Sequence, residues 1–282
     1  MSKVCLDDRA TISVSGQDAN ALLQSLITTD LGALPAGEVR PGALLTPQGK
    51  ILFDFLISLD GEALRLETSR DQAEPLLKRL TMYKLRSAVE FSLLDPAPVT
   101  IVFDEERPAE SYRDHRFEKA GLSVFRLYRR TAGGEAVAAD LDSLRIAAGV
   151  AVAGRDYALQ DAFPHDVLMD LNSGLSFRKG CYVGQEVISR MQHRGTARRR
   201  VVIVRGEAPL PPTGTSLSVD GRSIGSLGTV RDEAGLAIVR IDKVGEALAK
   251  GDEIRAGDVR VTLTLPGWTG LAFPTETGEA SA

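Results

Sequence analysis

The segment 177–186, FRKGCYVGQE, carries the residue types in this chain that could do chemistry. Cys181 is one of two cysteines among 282 residues, and it lies between Lys179-Gly180 and Tyr182, just ahead of a predicted helix. A helix N-terminus and nearby cations favour the thiolate, which is the nucleophilic and metal-binding form of cysteine. A lone cysteine is also a common inert core residue, so position alone leaves a reactive and a structural interpretation open.

The same region is basic within an acidic protein. The net charge is −4, yet residues 178–200 hold one acid, Glu186, and seven basic residues: Arg178, Lys179, Arg190, Arg194, Arg198, Arg199 and Arg200. This excess favours an anionic ligand or partner, although a solvated helix face with an arginine-blunted edge strand would look the same. We expect no direct tRNA contact, because no nucleic-acid-binding motif accompanies the cations.

Asp54 is the second candidate. In ILFDFLIS, residues 51–58, both alternating faces of the predicted strand are mainly apolar, and Asp54 is the lone charge. A buried unpaired carboxylate costs several kcal/mol, so Asp54 needs a hydrogen-bond donor or a place in a ligand cavity. The alternatives are a local pair with Arg or Lys, or a solvent-facing position at a ragged edge.

Several kinds of site are not expected. The histidines 115, 165 and 193 are far apart in sequence, Cys5 and Cys181 give no zinc or disulfide spacing, and we therefore predict no metal site. No glycine-rich phosphate loop or serine-hydrolase elbow occurs. No run reaches membrane-span length, and the N-terminus is charged where a signal peptide would be apolar. We accordingly expect a cytosolic protein with reduced thiols and no membrane association.

The elements that position the candidates begin with an α+β unit over residues 1–96. Its predicted order is strand, helix, strands, helix, strand, as in a ferredoxin-like split unit. Ser15 with Asp18, and Ser69 with Gln72, are spaced as capping boxes at the two helix starts. Asp60-Gly61 is typical of a hairpin turn.

Two further units and a tail are predicted beyond residue 96. Residues 97–197 form a second α+β unit with strands around a polar loop at His115, a helix ending at Gly149 and a helix after the cysteine. Residues 198–270 show short strands and turns, typical of a small antiparallel β-barrel. Residues 271–282 are rich in Gly, Thr and Ser and predict a flexible tail. No coiled coil demands a partner, so we expect a monomer.

The eight residues KGCYVGQE, 179–186, match the signature of the YgfZ-type folate-binding proteins, which are implicated in iron–sulfur cluster assembly and tRNA modification. These are relatives of the glycine cleavage T-protein, an aminomethyltransferase. The resemblance continues in ISVSGQDANALLQSLITTDL, TPQGKILFDFLI, LRIAAGVAV and SRMQHRGTARRR, and covers most of residues 1–205.

The resemblance implies ferredoxin-like α/β units arranged around a central channel, with tetrahydrofolate or a one-carbon derivative in the middle. Asp54 then matches the T-protein's catalytic aspartate, and Cys181 matches the signature cysteine. The other residues implied in cofactor binding are Arg178, Lys179, Gly180, Tyr182, Gly184, Gln185 and Glu186. One departure stands out: T-proteins read L-R-L-E-A-G where this chain has Ala147 in place of the pterin-binding glutamate.

The resemblance leaves three functions open. The first is a folate-binding factor in iron–sulfur cluster assembly or repair, and thereby in tRNA modification, with folate and iron–sulfur client or assembly proteins as partners. The second is a folate-dependent aminomethyltransferase in which Asp54 acts on a folate nitrogen. The third is a non-catalytic adaptor that docks client proteins through its basic strip and barrel. Whether the protein is an enzyme is left undecided.

Overall fold

A computed structural model of the chain describes residues 2–104, 106–131 and 138–274. Within these ranges the chain forms two compact units. The first contains the described residues up to Ala138 together with Met169–Ser189, and the second contains Ala139–Leu168 and the described residues from Arg190 onward. None of the helices in these ranges combines the length and the apolar character that crossing a bilayer requires.

The first unit is built on a sheet that has nine strands within the described residues, in the order β1-β7-β9-β8-β3-β4-β5-β2-β6. The strands are β1 Ser2–Leu6, β2 Arg9–Ser15, β3 Glu38–Leu45, β4 Ile51–Asp60, β5 Ala63–Ser69, β6 Glu90–Leu94, β7 Val99–Phe103, β8 Tyr112–Asp114 and β9 Val124–Leu127. Its helices are α1 Ala19–Gln24, α2 Arg70–Lys84 and α3 His115–Glu118. Strands β3 and β8 pair in parallel, and their neighbours pair antiparallel.

The main core of this unit lies between the sheet and its helices. Strand β2 turns Ile12 inward, β5 turns Leu66 inward, and α1 and α2 cover them with Leu23 and Leu76. All four side chains are fully buried. The inward-facing residues of the strands, which alternate along the chain, and the helix residues spaced three to four apart therefore pack in one core layer, as the sequence pattern predicts.

The second unit contains a closed barrel of six strands within the described residues, ordered β10-β13-β12-β11-β14-β15. The strands are β10 Arg199–Gly206, β11 Ser216–Val219, β12 Arg222–Arg231, β13 Ala234–Arg240, β14 Ile254–Ala256 and β15 Val259–Thr264. Two helices accompany it, α4 Ala138–Ala148 and α6 Ile241–Lys250, and a further helix, α5 Gln185–His193, passes from the first unit into the second. The predicted α+β class with a C-terminal antiparallel barrel is confirmed.

Some local predictions are wrong. Ser15 ends β2 and does not cap α1, which begins at Ala19. Asp18 and Ser69 directly precede α1 and α2, but neither side chain caps its helix; Asp18 instead accepts a hydrogen bond from the distant Ala88 backbone N–H. The polar loop around His115 folds as β8 and α3, and α6 within the barrel region was not predicted.

Other predictions stay open. The division at 96/97 and 197/198 and the central channel remain predictions. Of the predicted tail, residues 275–282 lie outside the described residues.

A buried ion network joins strands from two parts of the first unit's sheet. The Glu67 carboxylate, which has no exposed surface, accepts hydrogen bonds from Arg9 at 2.8 Å and from Arg126 at 2.5 Å. Arg126 also donates to the equally buried Asp114 at 2.9 Å, and Arg116 donates to Asp114 at 2.7 Å. Burial alone would raise the pKa of both acids, but the arginines outweigh it, and each pKa lies below its ordinary value.

This network predicts how the protein responds to Glu67→Gln. Removing one partner of a buried ion pair costs about 3–5 kcal/mol of unfolding free energy. Because the folded pKa of Glu67 is lowered, its contribution is present above the unfolded pKa of about 4.3 and is lost as pH falls. Urea unfolding at pH 7 should therefore show a large loss, and the decline of stability between about pH 5 and 3 should be shallower in the variant.

The exposed Glu62, at the β4–β5 turn, supplies the matched control. Glu62→Gln should change the unfolding free energy by less than about 0.5 kcal/mol. Equal stability of the two variants at pH 7 would contradict a structural role for the network.

Candidate functional site

The β3–β4 hairpin positions both candidate groups. Its strands pair antiparallel with Ala43 opposite Asp54, and the turn between them is closed by a hydrogen bond from Thr46 N–H to Lys50 C=O at 2.8 Å. Gly49 makes this turn possible because its φ of +79° is rarely adopted by L-residues. The hairpin thus carries Asp54 on β4, while β3 and the turn form the surface on which the cysteine motif packs.

Asp54 is held by an amide side chain from α2. The Gln72 Nε2 donates to Asp54 Oδ1 at 2.8 Å, and the Asp54 backbone N–H donates to Gln72 Oε1 at 3.1 Å. Gln72 itself is buried, and it also donates to Ser69 Oγ at 2.9 Å. Asp54 as a residue is half-buried, and the Gln72 amide orients its carboxylate.

Lys179 anchors the start of the cysteine motif. Its side chain is buried, and its ammonium donates to the backbone oxygens of Ile27 at 2.8 Å and Thr29 at 2.9 Å. Burial lowers the pKa of Lys179 to about 8, with Asp30 acting in the opposite direction. The amine also lies 5.3 Å from the centre of the Tyr182 ring. Its hydrogen-bonding capacity is directed at the protein's own backbone.

The residues that receive Lys179 are themselves fastened to β3. The Thr28 N–H donates to Ala43 C=O at 3.0 Å, and the Thr28 Oγ1 accepts from the Ala43 N–H, also at 3.0 Å. The Thr28 hydroxyl donates to Gly174 C=O at 2.6 Å. Because Ala43 is the partner of Asp54 across the hairpin, the acid and the motif are connected through one strand and one short segment.

Gly184 anchors the other end of the motif on the hairpin turn. Its φ is +80°, and a Cβ added there would lie 2.6 Å from the Thr46 carbonyl oxygen and 3.2 Å from Gly49 Cα. Only a residue without a side chain allows this approach. Together, Lys179 and Gly184 fix the segment on both sides of the cysteine.

Cys181 projects between these two anchors and is exposed. Helix α5 begins at Gln185, so Cys181 lies four residues before the helix, ahead of its first turn. Arg178 and Gly180 are exposed beside it. The thiol is therefore accessible, and its position follows from the anchored backbone on either side.

The remaining motif residues divide between packing and surface. Tyr182 is buried with its hydroxyl 3.4 Å from Ser176 C=O, and burial raises its pKa. Gln185 opens α5 and its N–H donates to Tyr182 C=O at 3.2 Å, while Glu186 in the first turn is exposed. Their predicted part in cofactor binding stays a prediction.

Ala147 lies exposed in α4 of the second unit and brings no hydrogen-bonding side chain. Its neighbour Arg145 is buried and donates to Asp142 at 2.8 Å, to Thr229 at 3.1 Å and, more closely, to Asp156. The LRIAAG segment thus contributes Arg145 to a structural ion network.

One grouping with metal-ligand chemistry occurs among the described residues, although no metal site was predicted. His115 Nδ1 lies 3.2 Å from Glu38 Oε1 and 3.1 Å from Glu118 Oε2. Arg40 and Arg113 pair with the same two carboxylates at 2.6 and 3.2 Å. The acids therefore already have cationic partners, and this arrangement is an ion cluster of the protein's own side chains.

The fold of the chain is that of an aminomethyltransferase T-protein. The glycine cleavage system aminomethyltransferase T from Bartonella henselae superposes with a TM-score of 0.70 over 94% of this chain and 85% of that one, at 16% identity. The C-terminal residues 198–271 match the family described as "CAF17, C-terminal beta-barrel domain".

Sequence relatives define the family more closely. The IBA57 homolog of Pyricularia oryzae, named a mitochondrial iron–sulfur cluster assembly factor, is 30% identical over 89% of this chain and 75% of its own length. Human IBA57 is 28% identical over 93% of this chain and 84% of its own length. The chain belongs to the family of the IBA57 iron–sulfur cluster assembly factors. The narrower YgfZ type stays a prediction.

The expected cytosolic location is wrong on this comparison. The relatives are named mitochondrial proteins, which points away from the cytosol. The physical reason is that an apolar signal segment distinguishes export from retention, whereas transit peptides are amphipathic and lack such a segment. Reduced cysteines are compatible with both the cytosol and mitochondria, so the cysteine content does not distinguish these compartments.

Gly184 provides the prediction that tests the anchoring. Gly184→Ala should destabilise the protein by more than about 2 kcal/mol, because the side chain would meet the Thr46 carbonyl and the positive φ becomes strained. Gly180→Ala is the matched control, since nothing lies within 4 Å of a Cβ there. It should stay within about 0.5 kcal/mol of wild type in urea unfolding. Two variants of equal stability would contradict the anchored geometry.

Proposed function

We propose that this protein binds tetrahydrofolate or a one-carbon derivative and acts in iron–sulfur cluster assembly or repair, and thereby in tRNA modification. Its family membership supports the assembly role, because the relatives are named iron–sulfur cluster assembly factors. Its partners would then be iron–sulfur client or assembly proteins. The cluster is cargo in this account.

The observation that carries the assembly role is the exposed Cys181 on an anchored segment. Lys179 donates to two backbone oxygens on one side, and Gly184 packs on the hairpin turn on the other. A thiol that must meet sulfur, iron or a partner's thiol needs exposure together with a fixed position. Cys181 satisfies both needs, whereas Cys5 is partly buried and burial raises its pKa.

The residues fit a folate in part. When bound, tetrahydrofolate would supply a nitrogen-bearing centre that carries one-carbon groups. Asp54 is suited to face such a centre, because Gln72 orients the carboxylate and the residue is only half-buried. A charged acceptor facing an N–H group forms a strong hydrogen bond. Ala147, in contrast, offers no replacement for the T-protein glutamate.

The aminomethyltransferase is the second candidate function. The shared T-protein fold and the retained Asp54 favour it, while Ala147 and the added cysteine argue against it. It differs from the first proposal in requiring Asp54 but not Cys181, and in forming methylene-tetrahydrofolate from an aminomethyl donor. A non-catalytic adaptor would require neither residue.

The adaptor alternative is tested by charge reversal within the arginine strip, Arg198–Arg200. Only the exposed Arg198 can be reversed without disturbing the fold, because Arg200 is buried and donates to His165 C=O at 2.7 Å. Arg199 pairs with Asp161 at 2.9 Å. Arg198→Glu should abolish function if the strip docks clients and should leave it intact under the leading proposal.

Complementation measures the proposed function directly. In cells lacking the endogenous protein, we expect Cys181→Ser to leave the activity of iron–sulfur enzymes at the empty-vector level, while Cys5→Ser restores it. The two variants remove the same atom type, so the difference isolates position. Full restoration by Cys181→Ser, at equal protein level, would show that the function does not need the Cys181 thiol.

Calorimetry provides the second arm of the same experiment. Losing a hydrogen bond to a charged group costs about 1.5–3 kcal/mol, so Asp54→Asn should weaken tetrahydrofolate binding by about 10- to 100-fold. Asp8→Asn, at an exposed acid of the β1–β2 turn, should bind as wild type does. Absence of saturable tetrahydrofolate binding by folded wild-type protein would contradict the proposed folate binding.

A further inference from the structure

The C-terminal end of α2 exposes two large apolar side chains. Met82 is 62% exposed and Leu85 is 88% exposed. Both belong to one turn of chain, where the helix stops at Lys84 and the backbone reverses at Leu85. Scattered exposed apolar residues are ordinary, but two within four residues at a helix end call for a closer look at their surroundings.

The same stretch carries four cations that lack acidic partners. Residues 76–89 contain no Asp or Glu and four basic residues: Lys78, Arg79, Lys84 and Arg86. Across the described part of the chain, no acid lies within ion-pair distance of any of these four. Arg70, in the first turn of the same helix, shows the contrast, because it pairs with Asp95 at 2.5 Å.

The backbone at Leu85 is strained. Its φ of 46° and ψ of −106° lie where glycine is favoured and other residues are rarely found. Non-glycine residues persist in such conformations when the surrounding structure holds them, and they gather at functional positions.

A clamp from the α1 region holds this conformation. The Asp18 carboxylate accepts from Ala88 N–H at 2.7 Å, and the Asp18 N–H donates to Ala88 C=O at 3.2 Å. Gly16 approaches so closely that a Cβ there would lie 2.3 Å from the Ala88 oxygen. The reversal after α2 is therefore fixed at its far end, and Leu85 is presented outward by a rigid support.

Two simpler explanations do not account for all of this. Basic residues near a helix C-terminus interact favourably with the helix dipole, which explains the cations but not a strained, exposed leucine. A helix C-cap is commonly glycine, which would remove the strain, yet the chain places a leucine there.

We propose that the α2-end surface, defined as Lys78, Arg79, Met82, Lys84, Leu85 and Arg86, docks an acidic segment of a partner protein. Leu85 enters an apolar pocket of the partner, and the unpaired cations meet its carboxylates. A shallow, open surface lined by Asp18, Leu85, Arg86 and Ser87 surrounds the leucine. Two apolar side chains bury little area in a bilayer, which favours a protein over a membrane. The inference goes beyond the proposed function and stands without folate binding.

The experiment begins with a benzophenone amino acid at position 82 of the full-length protein in cells. After irradiation, the cross-linked protein is identified by mass spectrometry, and the same label at position 248 serves as the control because Leu248 is 50% exposed on another helix, α6. The identified protein is then purified and its Kd for the unlabelled chain is measured by calorimetry.

Leu85→Gly gives the sharpest readout, because glycine relieves the strained φ while removing the side chain. We expect its unfolding midpoint to be no lower than that of wild type while its affinity falls at least tenfold. Arg86→Glu should weaken binding similarly, and Leu248→Ala should bind as wild type does.

Three outcomes would overturn the inference. One is no protein cross-linked at position 82 beyond the level at position 248. Another is a Kd that Leu85→Gly and Arg86→Glu leave unchanged. The third is binding of wild type, but not Leu85→Gly, to vesicles of anionic phospholipid without a protein partner, which would reassign the surface to a membrane.

Discussion

The arrangement of the candidate site depends on one buried amine. Lys179 brings its nitrogen to the backbone oxygens of Ile27 and Thr29, and it does so at an energetic cost that appears as a pKa lowered to about 8. The cost is balanced because those oxygens belong to a segment fastened to β3. A charge inside the protein thus fixes the chain just before Cys181, and the thiol can stay in solvent without the segment being loose.

The same hairpin then accounts for the acid. Asp54 lies opposite Ala43, and Ala43 holds Thr28, next to the oxygens that receive Lys179. In a fold similar to that of a T-protein, the strand with Asp54 and the anchored segment with Cys181 are thus attached to the same hairpin. The buried network of Glu67 and Arg126 supports this sheet from its other part, so the site rests on a frame stabilised by charge as well as by apolar packing.

Much of this could be read from the sequence, and the rest could not for identifiable reasons. A mainly apolar run predicted β4, and short strands with turns predicted the barrel. Gln72 was assigned to a helix cap because spacing shows local partners only, whereas its amide reaches Asp54, eighteen residues away. Lys179 was assigned to cofactor binding by resemblance and to the thiolate by its place beside the cysteine, whereas its ammonium donates to backbone oxygens about 150 positions earlier. Contacts between distant residues leave no local pattern.

Alkylation of the cysteines tests most directly the proposal that Asp54 and Cys181 serve one folate-sized site. Folded protein is treated with iodoacetamide with and without saturating tetrahydrofolate, and labelling of Cys181 and Cys5 is followed by mass spectrometry. Tetrahydrofolate should slow the labelling of Cys181 several-fold and leave the labelling of Cys5 unchanged, and this protection should be lost in the Asp54→Asn variant. Equal labelling of Cys181 with and without the ligand, at concentrations where binding is saturated, would contradict it.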